Sequence, residues 1–116
     1  MGLFERLRRR GRSGRTRSER DQDTEHLRQW AAERHGVEGF LEPPTQVTET
    51  TIVFVAHDGE WTRRRIGGRD AAIRFTHRLG IPFYEVNKVG YPQRMRDYQR
   101  RQRVLRRREY RRRLEE

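Results

Sequence analysis

Closely spaced arginines near the carboxyl end are the part of this sequence that most plainly offers chemistry. Residues 91–116 contain eleven arginines against four acidic residues, which is a net charge of +7. A guanidinium group can hold a phosphate through two parallel hydrogen bonds, and a tyrosine ring can stack on an unpaired base. The segment therefore predicts a surface that binds the phosphates of a nucleic acid.

We expect the contacts to phosphate to come from arginines of this segment and from two arginines of a predicted strand. The candidate phosphate-binding residues are Arg94, Arg96, Arg100, Arg101, Arg103, Arg106, Arg107, Arg108, Arg63 and Arg65. Tyr98 and Tyr110 are the candidate stacking residues. The two strand arginines extend the patch if their face of the sheet is uncovered. The alternative is a solvated helix that binds nothing and is held by the pairs Asp97–Arg101 and Glu109–Arg113.

Other kinds of chemistry need groupings that this sequence lacks. The chain has no cysteine, which excludes disulfides and cysteine zinc sites, and its four histidines are scattered without the spacing of a metal site. Neither a dinucleotide fingerprint nor a Walker A pattern is present. Gly67–Asp70 is interpreted as a strand-to-helix turn, although a helix start of this kind can also cradle a phosphate. We therefore expect no catalytic residue, no metal and no cofactor, and the sequence favours a protein that is not an enzyme.

The charge is divided into three blocks, which suggest three parts of the chain. Residues 1–20 have a net charge of +6, residues 21–90 of −2 and residues 91–116 of +7. Blocks of like charge are typical of interaction tails. We predict a flexible basic arm over 1–22, a small α+β domain over 23–91 and a basic helix over 92–116, with residues 11–20 as a linker that lacks apolar side chains.

Apolar spacing and turn signals predict a small mixed sheet with the order α-β-β-β-α-β. The first half comprises a helix from an N-cap at Asp23–Thr24 to Gly36, a strand over 37–42 and a central strand over 45–57. The second half comprises an edge strand over 61–66, a helix over 69–79 ended by Gly80, a strand over 81–86, a loop over 87–90 and a helix over 93–116. Met95, Tyr98 and Leu105 lie near one stripe of the last helix and are expected to dock on the domain.

The turn between the second and third strands sets their register. Asp58-Gly59 is a favoured pair for a two-residue hairpin turn. Such a turn places Trp61 opposite Ala56, and Arg63 opposite Phe54. Trp61, Arg63 and Arg65 then share one face of the sheet, and so many charges favour an edge strand.

The order of these elements resembles the core of the PD-(D/E)XK nuclease superfamily over residues 24–86. That resemblance implies a metal-binding acid and an E-x-K motif on the hairpin strands. Glu49 and Glu60 are the acids closest to those places, but residues 61–65 read Trp-Thr-Arg-Arg-Arg where the E-x-K is expected. The resemblance therefore leaves a nuclease, degenerate or active, as an alternative.

A second resemblance rests on residues 90–98, which read Gly-Tyr-Pro-Gln-Arg-Met-Arg-Asp-Tyr. The chain resembles short, uncharacterised, arginine-rich proteins of high-GC bacteria that have a similar segment where a basic tail begins, some of them named oxidoreductase. The resemblance implies a bacterial protein. Residues 90–98 contain no group that would carry out redox chemistry.

Taken together, the sequence predicts a non-catalytic nucleic-acid-binding accessory protein. Arginine-rich helices and arms suit folded RNA, so RNA is expected rather than DNA, with the ribosome as one candidate target. A module that docks its basic helix on an acidic protein is a further alternative. We expect a cytoplasmic protein without a transmembrane segment, and a contact of Leu3, Phe4 and Leu7 with a membrane surface is the weakest alternative.

Overall fold

The structure is a computed structural model that describes residues 15–46 and 49–116. Within these residues the chain forms, in order, α1 (Arg17–Ala32), β1 (Glu38–Glu42), β2 (Thr51–Val55), β3 (Trp61–Arg65), α2 (Arg69–Leu79), β4 (Phe83–Glu85), α3 (Val86–Val89) and α4 (Gln93–Glu115). The predicted α+β class and the order of its elements are confirmed. The long carboxyl-terminal helix, which contains no glycine or proline, is confirmed as well.

The strands of the described residues form one sheet in the order β3-β2-β1-β4. β2 is antiparallel to both β1 and β3, whereas β4 is parallel to β1 and is reached through α2. Residues 52–55 of β2 are completely buried because helices cover both faces of the sheet. The predicted central position of this strand and the predicted edge position of β3 are both confirmed.

Each face of the sheet has its own apolar cluster. On one face, Leu27 of α1 and Phe75 of α2 pack with Phe54 of β2. On the other face, Met95 of α4 packs with a cluster that includes Val55 of β2. The start of α4 therefore belongs to the core of the domain, and the predicted docking of Met95 is confirmed.

Helix α1 begins well before the predicted N-cap. Thr16 is the N-cap, and its side chain and that of Glu19 form a reciprocal capping box. The side chain of Arg15 is buried and forms ion pairs with Asp23 (2.7 Å) and Glu49 (3.3 Å). The expectation of a linker over 11–20 is therefore wrong for residues 15–20, because capping and ion pairing order a segment that lacks apolar side chains. The remainder of the predicted arm, including Leu3, Phe4 and Leu7, lies outside the described residues.

Three other predicted boundaries are wrong. β2 begins at Thr51 rather than at residue 45, because β1 ends at Glu42, opposite Thr51, and provides no earlier partner. Residues 47 and 48 lie outside the described residues. β4 is limited to the three residues that pair with β1, and the predicted loop over 87–90 begins as the single helical turn α3.

The hairpin between β2 and β3 differs from the prediction by one residue. The amide of Ala56 donates to the carbonyl of Glu60 (2.8 Å), so the loop has three residues rather than two. Gly59 ends the loop with a φ of 92°, as expected for a three-residue hairpin loop. Trp61 therefore lies opposite Val55, and Arg63 lies opposite Val53. This shift moves Trp61, Arg63 and Arg65 to the sheet face that α4 covers.

Candidate nucleic-acid interface

The first part of α4, residues 93–102, is held against the sheet by specific contacts, and we call it the docked segment. Met95 is 5% exposed and lies in the cluster below the helix. Arg94 Nη2 lies 2.5 Å from Glu38 Oε1, and Arg94 Nε donates to the carbonyl of Ala56 (3.0 Å). The guanidinium of Arg94 is therefore occupied by the domain itself.

The tip of the β2–β3 hairpin packs directly on the docked segment. Arg101 Nη2 donates to the carbonyl of Asp58 (2.8 Å). A Cβ atom at Gly59 would collide with the carbonyl group of Arg94 and would also crowd Tyr98. The Asp97–Arg101 pair suggested for a ligand-free helix is not formed, because Arg101 is bonded to the hairpin and Asp97 accepts from Gln93 (3.1 Å).

The second part of α4, residues 103–116, leaves the domain, and we call it the projecting segment. Every residue in it is exposed. Its helical residues, 103–115, extend for about 20 Å at 1.5 Å per residue. The segment contains seven arginines and three glutamates. Glu109 and Arg113 form the expected pair at 2.8 Å. The remaining arginines form no hydrogen bond or ion pair within residues 15–46 and 49–116; they are Arg103, Arg106, Arg107, Arg108, Arg111 and Arg112.

The arginines of the projecting segment point in all directions, because successive helical residues are rotated by about 100°. Its large apolar side chains do not gather on one stripe. Leu105 is 53% exposed, and Val104, Tyr110 and Leu114 are exposed as well. The predicted docking of Leu105 is therefore wrong, since the sheet ends before the helix reaches that residue. A helix of this kind buries little in its own protein.

Arg63 is held by a buried carboxylate on the same sheet face. Its Nε and Nη2 atoms lie 2.6 and 2.9 Å from the two carboxylate oxygens of Glu42, which also accepts hydrogen bonds from Thr51 and Tyr91. Burial alone raises the pKa of Glu42, but these hydrogen bonds outweigh burial and hold the pKa below its ordinary value. Burial and the Glu42 carboxylate raise the pKa of Tyr91. The guanidinium of Arg63 is therefore bound by Glu42 within the fold.

The other predicted phosphate contacts are divided between the domain and the two segments. Arg65 is exposed at the end of the edge strand β3. Arg96 is exposed and donates weakly to Gln93 (3.4 Å), and Arg100 is exposed on the docked segment. Tyr98 is half-buried beside the hairpin, whereas Tyr110 is 65% exposed on the projecting segment. Tyr98 and Tyr110, which were both predicted to stack on bases, therefore have different surroundings.

A groove of about 420 Å³ lies where the two segments of α4 meet beside the edge strand. Its lining consists of Trp61, Tyr98, Gln99, Gln102, Arg103 and Arg106. Trp61, Gln99 and Gln102 are not among the residues predicted from the sequence to bind a ligand. The i, i+4, i+8 spacing of Tyr98, Gln102 and Arg106 places them on one stripe of α4 and was visible in the sequence. The proximity of Trp61 to that stripe was not, because it depends on the hairpin register.

The residues considered for other chemistry are engaged in structural contacts. Glu49 is paired with Arg15, and Arg34 pairs with Glu60 at 2.9 Å. Arg69, at the start of α2, pairs with Glu85 at 2.8 Å. Among residues 15–46 and 49–116, no three histidine, aspartate or glutamate side chains come close enough together to hold a metal ion.

The histidines also have local roles. The ring of His26 is hydrogen-bonded to the hydroxyl of Thr62 (2.8 Å), and burial together with Arg64 lowers the pKa of His26 despite the opposing charge of Asp23. His57 Nδ1 lies 3.2 Å from the carbonyl oxygen of His35. These contacts connect α1 and the loop after it to the hairpin.

No family model, no curated protein and no solved structure matches this chain. In the part of the chain that the structure describes, none of the helices is both long enough and apolar enough to span a bilayer.

Proposed function

We propose that this protein binds RNA without catalysing a reaction on it, and that the projecting segment of α4 carries the binding. The supporting observation is the set of six arginines on that segment that have no partner in the described chain. Guanidinium groups that are neither buried nor paired are free to bind phosphate, and several of them on one rigid helix act together.

The distribution of these arginines favours a nucleic acid over an acidic protein. A protein partner would contact one side of the helix, and a helix that docks in a groove of a protein typically presents an apolar stripe on that side. The projecting segment has arginines on all sides and no such stripe. Phosphates that surround the helix, as in the groove of a folded RNA, match this arrangement better. The ribosome is one such target.

The ion pairs of Glu49 and Glu60 support the absence of a nuclease activity. In a metal-dependent nuclease two or three carboxylates must be free to bind a divalent metal. Here an arginine contacts Glu60 and one oxygen of Glu49, and neither side chain belongs to a group of three potential metal ligands within residues 15–46 and 49–116. We therefore expect the RNA to be bound and not cleaved.

The experiment measures the affinity for a fluorescent RNA hairpin by anisotropy at several salt concentrations. In one variant Arg106, Arg107, Arg108 and Arg111 are replaced by Gln, which keeps helix propensity. The matched control replaces four exposed arginines outside α4 by Gln, namely Arg17, Arg20, Arg74 and Arg78. Both variants lose the same charge, so they differ in position alone.

The parent should show a logarithmic salt slope of about −4, which corresponds to roughly five phosphate contacts. The variant of the projecting segment should bind far more weakly, with a slope reduced by about 3, whereas the control should retain most of the parent's slope. Equal losses in the two variants would show that net charge and not the projecting segment determines binding. Retention of full affinity by the variant of the projecting segment would overturn the proposal.

A further inference from the structure

The groove between Trp61 and α4 has a composition that differs from that of the projecting segment. Two aromatic side chains, Trp61 and Tyr98, lie on its walls together with the amides of Gln99 and Gln102. Arg103 and Arg106 lie at its outer end, where the projecting segment begins. Aromatic rings, amides and unpaired arginines in one groove suit three features of a nucleotide, namely the face of its base, the edge of its base and its phosphate.

The aromatic side chains of the groove are held in place by the fold. Trp61 packs against the apolar cluster under α4, and the guanidinium of Arg63 lies over its ring at 5.2 Å. Tyr98 lies against the hairpin tip at Gly59, and the guanidinium of Arg101 lies 5.9 Å from its ring centre. Rings that are already fixed lose little conformational entropy when a ligand stacks on them.

The size and polarity of the groove also suit a single nucleotide. Its volume of about 420 Å³ falls within the range of small-ligand sites. An amide side chain both donates and accepts hydrogen bonds, as the edge of a base requires. Arg103 and Arg106 are exposed and have no partner in the described chain, so they are free to bind the adjoining phosphate.

We infer that this groove holds one unpaired nucleobase of the bound RNA, with Arg103 and Arg106 on the neighbouring phosphate. The inference rests on the proposed function and adds the kind of RNA that is recognised. Bases in a duplex are stacked on both faces and cannot enter the groove, whereas bases in loops and single strands can. The protein therefore prefers RNA with unpaired nucleotides to a fully paired duplex with equal charge.

The test uses three probes of eight nucleotides: an adenosine RNA strand, the corresponding DNA strand and an abasic DNA strand. The DNA strands have equal numbers of phosphates, so their difference reports the bases alone. The full-length protein should bind the adenosine strands about tenfold more tightly than the abasic strand. Comparison of the RNA and DNA adenosine strands shows whether the ribose hydroxyl contributes.

Two variants assign the preference to the groove. Tyr98→Leu should remove the advantage of the adenosine strands and leave the affinity for the abasic strand unchanged, whereas Tyr98→Phe should retain that advantage. Tyr84→Leu is the matched control, because it removes the same ring from a partly exposed position on β4, outside the groove and outside α4. Circular dichroism and urea unfolding verify that each variant is folded.

Tryptophan fluorescence provides a measurement that does not depend on the folding of Tyr98→Leu. The adenosine strands should quench the unmodified protein and should quench Trp61→Phe much less, since the chain contains one other tryptophan, the buried Trp30. Equal affinity for the adenosine and abasic strands, without quenching of Trp61, would overturn the groove as a base site and leave phosphate binding by the projecting segment intact. Loss of the salt-dependent binding to all three strands would overturn the proposed function itself.

Discussion

In the docked segment of α4, Arg94 and Arg101 donate to Glu38 and to backbone carbonyls of the hairpin. In the projecting segment, six of the seven arginines have no partner in the described chain. The two segments belong to one continuous helix and are both rich in arginine. Their difference shows that the number of arginines does not reveal which guanidinium groups the domain already occupies and which have no partner in the described chain.

The difference between the docked and projecting segments can be tested by substitutions. The largest effect, a loss of stability, is expected at the contact between the hairpin and the docked segment. Gly59→Ala should lower the free energy of unfolding by about 3 kcal/mol, because its Cβ collides with the Arg94 carbonyl and because φ is positive. Urea unfolding followed by circular dichroism measures this loss.

Gly80→Ala provides the control for that experiment. Gly80 also has a positive φ, but nothing lies within 4 Å of its position for a Cβ. The substitution Gly80→Ala should therefore lower the free energy of unfolding by about 1 kcal/mol, which is the conformational penalty alone. Equal losses at the two glycines would mean that the hairpin does not determine how α4 is docked.

A smaller effect on stability should distinguish an arginine of the docked segment from an arginine of the projecting segment. Arg94→Gln removes the donor to the Glu38 carboxylate and one of the two donors to the Ala56 carbonyl, and we expect a loss of about 1–2 kcal/mol of unfolding free energy, reduced by the partial exposure of the pair. Arg107→Gln should change stability by less than about 0.5 kcal/mol.

Affinity for the RNA hairpin should follow the opposite order. Arg107→Gln should weaken binding and reduce the salt slope by about 0.7–0.9, whereas Arg94→Gln should leave the slope nearly unchanged. If Arg94→Gln reduced the slope as much as Arg107→Gln, the docked segment would have to be included in the RNA-binding surface.

The smallest expected effect is on the pH dependence of stability. The folded-state pKa of Glu42 is lowered by Arg63, Tyr91 and Thr51, which outweigh burial, so its stabilising contribution is complete above the ordinary carboxyl pKa of about 4.3. That contribution is lost as the pH falls through the lowered pKa. We expect Glu42→Gln to be less stable than the parent at pH 7 by on the order of 1 kcal/mol, with the difference decreasing below about pH 4.

Glu109→Gln is the matched control in the projecting segment. Its partner Arg113 is exposed, and the pair follows the i, i+4 spacing of an isolated helix pair. Removal of this pair should cost at most about 0.5 kcal/mol of unfolding free energy at pH 7. A pH dependence of Glu42→Gln identical to that of the parent would show that the buried network does not respond to acid.

Local patterns in the sequence were sufficient to predict most elements of the fold. β-Branched and aromatic residues over 52–55 predicted the central strand, and the apolar spacing of Ala72 and Phe75, with Gly80 behind them, predicted α2. The absence of glycine and proline after Pro92 predicted the long helix. These signals act between residues close together in the chain, which is why a single sequence contains them.

Two misjudged features depend on contacts between distant residues. The start of α1 is fixed by the Thr16–Glu19 capping box, whose spacing is visible in the sequence, and also by Arg15, which pairs with Glu49, 34 residues away. The start of β2 at Thr51 is set by the end of its antiparallel partner β1 at Glu42. Neither contact produces a periodic pattern, so neither could be obtained from the local sequence.

By itself the sequence determined that the chain has a basic carboxyl-terminal helix with too few apolar residues to be buried along its whole length. Only the tertiary structure decided where that helix leaves the domain and which of its arginines remain unpaired. A single extra residue in the hairpin loop placed Trp61 on the same face as α4 and next to Tyr98. The physical reason is that side chains of a strand alternate between the two faces of the sheet. A shift of one residue in the pairing of β3 with β2 therefore moves every side chain of β3 to the opposite face of the sheet.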